Sequence, residues 1–373
     1  MHAPTTRRGR LVTASLAALA GATALALASP AVATAAPAPA TATAVHGKPA
    51  PALDPTQFHG VNWADPRDNY ANGPVVLSGL ATSDDYRTVY RTSERIIRGF
   101  RKDLGANTVR MPVNPYSVGT AWWRSYKGAI DAARHEGFRV VLGYWEGDGA
   151  RKDGKIDDPA AWTTMWDTLT RTYAHDRGVY FEPMNEPFGY TADQWVQVAT
   201  DWVDRYTARG IPRDRVFVSG VGYNDHVDAV CAAPALAGTY VSQHYYGFWG
   251  THDAAGWAAD FESRLGDQAC SARTVLDEFG VPMTTGIDYR GSATTGNADA
   301  DNSVAFLQTV TTIARERHLG AVYWPGLRTD DTYSLTTIQG SGNHLSLAVT
   351  NDSGVALLHW AWGVAHRSRS ADR

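Results

Sequence analysis

The chain has 373 residues, 44% of them hydrophobic, with 35 glycines and a formal net charge of −4. That is the composition of a globular protein, and the length suits one large α/β barrel or two ordinary domains. The mild acidity argues against nucleic acid or an anionic membrane as partner.

In chain order, the first residues read as an export signal. Arg7, Arg8 and Arg10 precede the apolar run LVTASLAALAGATALALA (11–28), and AVATAAPA (31–38) offers small-residue cleavage sites after Ala33 or Ala35. The run is long enough to serve as an uncleaved anchor, but its alanine-rich make-up and the cleavage sites favour removal. TRRGRL is a faint twin-arginine pattern, because Arg10 sits where an apolar residue belongs. The expected organisation is a signal peptide over 1–35, an Ala/Pro-rich linker over 36–52, one barrel over 53–366 and a tail over 367–373. Signal removal takes away three arginines and leaves a net charge of −7. No later stretch is apolar and long enough to cross a bilayer, so the expected product is secreted, extracellular and free of the membrane. Cys231 and Cys270 are the only cysteines. An exported pair is most simply a disulfide, the alternative being two inert buried thiols.

From residue 58 one theme repeats. Short apolar or β-branched runs end in polar or aromatic residues: FHGVNW (58–63), NTVRMPV (107–113), FRVVLGYW (138–145), VYFEPMNE (179–186), VFVSGVG (216–222), TYVSQHYY (239–246), TVLDEFG (274–280) and AVYWPG (321–326). Amphipathic helix-like segments lie between them, at 93–106, 122–138, 192–210 and 302–320. Eight strand–helix units imply right-handed crossovers and a parallel sheet closed into a (β/α)8 TIM barrel. The runner-up is an open doubly wound sheet, against which counts the lack of a glycine-rich phosphate loop after the first strand. Residues 146–158, EGDGARKDGKIDD, read as a solvated βα-loop without the spacing of a metal loop.

In such a barrel the site forms at the C-terminal strand ends. Those ends carry Trp63, Arg110, Asn114, Tyr144, Trp145, Asn185, Glu186, His244, Tyr246, Glu278 and Trp324. Two glutamates, Glu186 and Glu278, occupy equivalent places on the fourth and seventh strands, which is the constellation for glycoside hydrolysis. One carboxylic acid protonates the leaving oxygen while the other carboxylate attacks the anomeric carbon or activates water.

With these residues the chain resembles glycoside hydrolase family 5, the cellulase-like family of retaining enzymes. NEP (185–187) resembles the family's acid/base motif and DEFG (277–280) its nucleophile strand, while Arg110, HYY (244–246) and Trp324 match in type and order. The resemblance implies Glu186 as general acid/base, with a pKa raised by burial and by Glu278. It implies Glu278 as nucleophile, kept ionised by Arg110 and the Tyr246 hydroxyl. Asn185 is placed to bond a sugar 2-hydroxyl, and Trp324, followed by Pro325, to floor the reactive sugar; family members often carry a cis peptide there, which Pro325 makes accessible. His244, Tyr246, Trp63, Tyr144 and Trp145 complete the expected substrate contacts.

Blander readings stand beside these. Glu182 reads as structural, Asp277 as pointing away from Glu278 on the strand, Arg110 as a partner for a barrel carboxylate, and Trp63, Trp145 and Trp249 as packing residues. No H-E-x-x-H, no Cys/His metal spacing and no G-x-S-x-G elbow occurs, so neither metal, other cofactor nor serine nucleophile is expected. One departure is Tyr144–Trp145 where family members usually carry a histidine, which places ordinary cellulose specificity in doubt. The opening GVNWADPRDNY (60–70) is similar to family members that release a disaccharide from plant glycosides. The resemblance therefore implies a secreted, monomeric, retaining β-glycoside hydrolase on β-glucan, mannan or β-glucosides, with a disaccharide-releasing β-glucosidase or a non-catalytic carbohydrate-binding barrel as alternatives.

Overall fold

The computed structural model describes residues 52–68, 73–146 and 153–364. The expected signal, most of the linker and the tail lie outside the described residues. Among the described residues no helix is long and apolar enough to cross a membrane.

Eight parallel strands form the sheet: β1 His59–Trp63, β2 Thr108–Val113, β3 Arg139–Tyr144, β4 Val179–Glu182, β5 Phe217–Ser219, β6 Tyr240–Tyr246, β7 Thr274–Gly280 and β8 Gly320–Leu327. Their order is β4-β3-β2-β1-β8-β7-β6-β5, and a single parallel bridge between Phe181 and Val216 joins the two ends. The sheet is thus a nearly closed (β/α)8 barrel, and every expected strand run lies on it. The helices in chain order are α1 Tyr86–Leu104, α2 Ala121–His135, α3 Pro159–Tyr173, α4 Ala192–Thr207, the short α5 Val221–Asn224 and α6 Asp228–Ala232, α7 Ala254–Arg264, the short α8 Gln268–Ser271, α9 Ala298–Glu316 and α10 Asp352–Ala361.

Local chemistry sets these boundaries. Helix α1 starts seven residues earlier than its apolar stripe suggests, because the Asp85 carboxylate caps it by accepting from Thr88 N at 2.8 Å. Its buried stripe of Val89, Ile96, Ile97, Phe100 and Leu104 then faces the strands. Helix α4 opens on a capping box formed by Thr191 and Gln194. Beyond β8 the chain adds an antiparallel hairpin of β9 Thr336–Gln339 and β10 Ser346–Val349, with β10 packed on α1.

Two packing regions hold the barrel. Outside the strands, helix stripes and outward strand residues form one large core. At the N-terminal end the barrel is plugged by Phe58, Val141, Tyr180, Phe217, Tyr240, Val275 and Val322. The Phe58 ring meets Tyr180, Phe217 and Tyr240 edge-on, with centroids at 5.0, 5.0 and 4.9 Å. Access to the barrel axis is therefore from the C-terminal end. Cys231, on α6, and Cys270, on α8, are joined by a disulfide with Cα atoms 5.4 Å apart.

Candidate active site

A cleft of about 520 Å³ opens at the C-terminal end of the barrel, lined among others by Asn185, Glu186, Tyr246, Trp249, Glu278 and Trp324. Among the described residues, two of the five exposed large hydrophobic side chains, Tyr223 and Phe248, stand in its walls. Trp324 and Trp145 meet on its floor with ring centroids 5.6 Å apart, and the Trp324–Pro325 peptide is cis.

Beneath the cleft lies Arg110, 2% exposed on β2. Its Nε donates to Glu182 Oε2 at 2.6 Å and its Nη2 to Glu182 Oε1 at 2.9 Å, a bidentate pair. Nη2 also donates to Asn185 Oδ1 at 2.6 Å, Nη1 to Asn62 Oδ1 at 3.0 Å, and Nη1 to Glu278 Oε1. Arg110 therefore pairs a structural carboxylate, Glu182, and holds Glu278 at the same time. Glu278 Oε2 accepts from the Tyr246 hydroxyl at 2.6 Å. Burial pushes the Glu278 carboxyl up to about 7, with the charge of Glu182 adding, while Arg110 and the Tyr246 hydroxyl pull it back.

Asp277 does not point away as strand alternation requires. The β6–β7 register pairs Gln243 with Leu276 and His244 with Glu278, skipping Asp277. This bulge turns two consecutive side chains into the barrel. Asp277 Oδ1 accepts from Ser242 Oγ at 2.7 Å, and Oδ2 lies 3.6 Å from Arg110 Nε. Burial and the charge of Glu182 push Asp277 well above the usual carboxylate range.

Glu186 lies four residues beyond the end of β4, with φ of 49°, in left-handed backbone. The strand stops at Glu182 because the turn begins at Pro183. The Glu186 backbone N–H donates to Asn224 Oδ1 at 3.0 Å, and its Oε1 lies 3.1 Å from His244 Nδ1. Asn224, itself at φ of 57°, turns its amide nitrogen toward Ser242 Oγ at 2.6 Å and His244 Nε2 at 3.2 Å. Nε2 therefore accepts, and Nδ1 carries the proton that faces Glu186. Burial first, and the Arg110 charge second, push the His244 pKa well down, so the imidazole is neutral. One oxygen of Glu186, one of Glu278 and a His244 nitrogen all lie within 4.8 Å of one another. Glu182, His244 and Asp277 converge likewise. Both triplets match a metal-ligand count, but Glu182, Glu278, Asp277 and His244 are already engaged by Arg110, Tyr246, Ser242 and Asn224, and Glu186 Oε1 faces His244 Nδ1.

Several expected contacts take other places. Trp63 is fully buried in the outer core, with its indole N–H on Ser78 O at 2.9 Å and its ring edge-on to Phe100, so it is a packing residue. Tyr144, 1% exposed, also belongs to that core. His244 and Arg110 are buried under the cleft and act on Glu186 and Glu278 instead of facing substrate. Asn114 caps the Ser117 N–H. Residues 146–158 are not simply solvated: Glu146 is 2% exposed, although 147–152 lie outside the described residues. Sequence reasoning missed Asn62, Ser242 and Asn224. The only signal for Asn224 is its place in the turn-like VGYND, since asparagine tolerates left-handed backbone.

A family model described as cellulase, glycosyl hydrolase family 5, matches residues 69–326, well over half of the chain. Endoglucanase H of Acetivibrio thermocellus is 24% identical over 178 residues, covering 41% of this chain. The match spans only 19% of that relative's length. The catalytic domain of the major endoglucanase from Xanthomonas campestris pv. campestris superposes with a TM-score of 0.58 at 16% identity, over 82% of this chain and 95% of that one. An endocellulase from Pyrococcus horikoshii, complexed with cellotetraose, gives a TM-score of 0.58 at 15% identity over 82% of this chain and 92% of its own.

Proposed function

Because the chain belongs to the cellulase family, glycosyl hydrolase family 5, we propose that it is a secreted retaining β-glycoside hydrolase acting by double displacement on β-glucan- or mannan-type polysaccharide or on β-glucosides. In this reading Glu278 is the nucleophile and Glu186 the acid/base. The observation that carries it is the facing pair itself: a Glu186 oxygen and a Glu278 oxygen lie within 4.8 Å at the base of an aromatic-lined cleft. So close an approach of one oxygen from each group supports a retaining pair, whose carboxyls stand ~5–5.5 Å apart, over an inverting pair at ~6.5–9.5 Å.

The first step follows from the contacts. Glu278, with one oxygen on Arg110 and the other on Tyr246, attacks the anomeric carbon. The glycosidic C–O bond breaks as the Glu186 carboxylic acid gives its proton to the departing oxygen. In the second step Glu186, now a carboxylate, takes a proton from water, which attacks the same carbon and frees Glu278. The His244 Nδ1–H stabilises the Glu186 carboxylate between the two steps. Asn185 spends its oxygen on Arg110, which leaves its amide nitrogen for a sugar hydroxyl, while Trp324 and Trp145 supply an apolar floor.

The test is trapping with a dinitrophenyl 2-deoxy-2-fluoro-β-glucoside, where fluorine slows both steps and the activated leaving group restores only the first. A fluoroglycosyl ester on Glu278, found by peptide mass mapping, is the expected result. A label elsewhere, or inversion at the anomeric carbon by NMR, overturns the assignment. A second reading, a disaccharide-releasing β-glucosidase, is favoured by the charged group in the cleft wall. There Arg328 Nη1 lies 3.0 Å from Asp331 and Nη2 3.5 Å from Asp68, a fixed polar frame suited to the hydroxyls of a terminal sugar. Release of intact disaccharide from aryl diglycosides, with polymeric glucan untouched, selects it.

A further inference from the structure

Glu146 is a buried acid that the mechanism above does not use. It follows Trp145 of the cleft floor, yet its carboxylate turns away from the cleft. One oxygen accepts from Asp153 N at 2.9 Å and the other from Gly154 N at 3.1 Å. The site is costly for an acid. Burial pushes its pKa up to about 7, with the charges of Asp157 and Asp153 acting in the same direction and only the two backbone donors opposing.

The segment that Glu146 holds is pressed against the loop that carries Glu186. Gly189 N donates to Gly154 O at 3.2 Å, and Ile156 N to the Tyr190 hydroxyl at 3.1 Å. The approach is so close that a Cβ on Gly189 would sit 1.9 Å from Asp153 O, and one on Gly154 would sit 2.6 Å from the Phe188 ring. Gly154, at φ of 66°, needs its missing side chain twice over. Phe188 in turn stacks on Tyr223 with centroids 4.4 Å apart and planes at 21°. Tyr223 directly precedes Asn224, the residue that binds the Glu186 backbone N–H. The contacts therefore run from Glu146 through Gly154 to Gly189 and Phe188, and reach Glu186 from both its own loop and that of Asn224.

We propose that Glu146 is a positioning residue for the general acid: by fixing the backbone at Asp153 and Gly154 it braces the loop of residues 183–191 and sets where the Glu186 carboxyl meets the leaving oxygen. The proposal rests on Glu186 being the acid/base. Removing the brace harms proton donation and leaves nucleophilic attack by Glu278 intact, because Glu278 is held by Arg110 on β2 and Tyr246 on β6, neither of which lies in the braced loop.

The test is a leaving-group series. Aryl β-cellobiosides, from dinitrophenyl to unsubstituted phenyl, are assayed for kcat/KM, which reports the glycosylation step, with the wild type, Glu146→Ala, Glu146→Gln and Glu186→Ala. For Glu146→Ala the dinitrophenyl substrate is expected to stay within about threefold of wild type. The phenyl substrate is expected to fall by about tenfold to a hundredfold, the scale of an ~1 Å misplacement of a reacting group. A plot of log(kcat/KM) against leaving-group pKa thus steepens. Glu146→Gln keeps one acceptor in the same shape, is expected to fold if Glu146→Ala does not, and should fall between the two. If all substrates fall together in both Glu146 variants while Glu186→Ala steepens the plot, the positioning role is overturned and Glu146 serves only the fold. If the plot is unchanged even in Glu186→Ala, the acid assignment fails and this proposal with it.

Discussion

Replacing Tyr246 by phenylalanine isolates the force that keeps the proposed nucleophile ionised. Tyr246 is buried and donates to Glu278 Oε2 at 2.6 Å. Burial and the charge of Glu278 push its own pKa well above the usual tyrosine value, so it remains a donor throughout the working range. A hydrogen bond to a charged group is worth about 1.5–3 kcal/mol, and ~1.4 kcal/mol corresponds to one pKa unit. Tyr246→Phe should therefore raise the Glu278 pKa by about one to two units from its value of about 7. The nucleophile works as the anion, so activity falls as pH drops through this pKa, and the substitution moves that acid limb upward.

The assay is the pH dependence of kcat/KM with a dinitrophenyl glycoside. That leaving group scarcely needs the proton from Glu186, so the acid limb reads Glu278 alone. At pH 6 the variant should lose about tenfold to a hundredfold relative to wild type, the change in ionised fraction for that shift. Much of the loss should return at high pH. Thermal melting checks that the isosteric ring leaves the fold intact. An acid limb that stays in place, or moves down, refutes the claim that the hydroxyl stabilises the Glu278 carboxylate. A uniform loss at every pH shows instead that Tyr246 aligns the nucleophile without tuning it.

Glu186→Ala should keep glycosylation by dinitrophenyl substrates and regain turnover with azide as a β-glycosyl azide, whereas Glu278→Ala with azide should give the α-azide; reversed product configurations by NMR mean reversed roles. Asn224→Ala should lower activity on poor leaving groups by about tenfold or more and lower the melting temperature, because alanine lacks the short polar side chain that lets asparagine hold left-handed backbone. Asn224→Gly removes that strain but not the lost amide, so a Gly variant with full activity on these substrates shows that the backbone, not the side chain, sets Glu186. The Cys231–Cys270 bond spans 39 residues, and loop closure of that length is worth about 3–4 kcal/mol. Reduction should lower the melting temperature, while two free thiols titrated in unfolded, non-reduced protein contradict the bond.

The eight strands were legible because each is a run of β-branched and aromatic residues closed by polar ones, and parallel barrel strands are buried on both faces. Glu186 and Glu278 could be singled out as candidates because a glutamate closing such a run is unusual, although Glu182, which ends β4 and pairs Arg110, shows that such a position can also be structural. The hairpin after β8 was less visible, although TTIQ and SLAV flank a Gly/Ser/Asn-rich turn, since eight units already completed the count. Burial was the least legible quantity. A tryptophan at a strand end reads the same whether it floors a cleft, as Trp324 does, or fills the core, as Trp63 does.

The bulge at Asp277 was beyond any reading by alternation, and it sets the charge balance of the site. Without it Asp277 would face the helices, and the barrel axis would hold Glu182 and Glu278 around one guanidinium. With it, three buried carboxyls share Arg110 as the single cation among the groups that touch them. One guanidinium cannot fully offset three buried carboxyls. Burial and the charge of Glu182 push Asp277 well above the usual carboxylate range, and its Oδ1 accepts from the neutral Ser242 hydroxyl while Glu182 holds the bidentate face of Arg110. Glu182 and Glu278 are left to divide the remaining positive charge. Burial is the main reason that Glu278 sits as high as about 7, with the charge of Glu182 adding to it, and this is why the hydroxyl of Tyr246, which pulls the other way, matters to it. The proposed nucleophile is thus held as an anion by a small margin, basic enough to attack and still able to leave when water arrives.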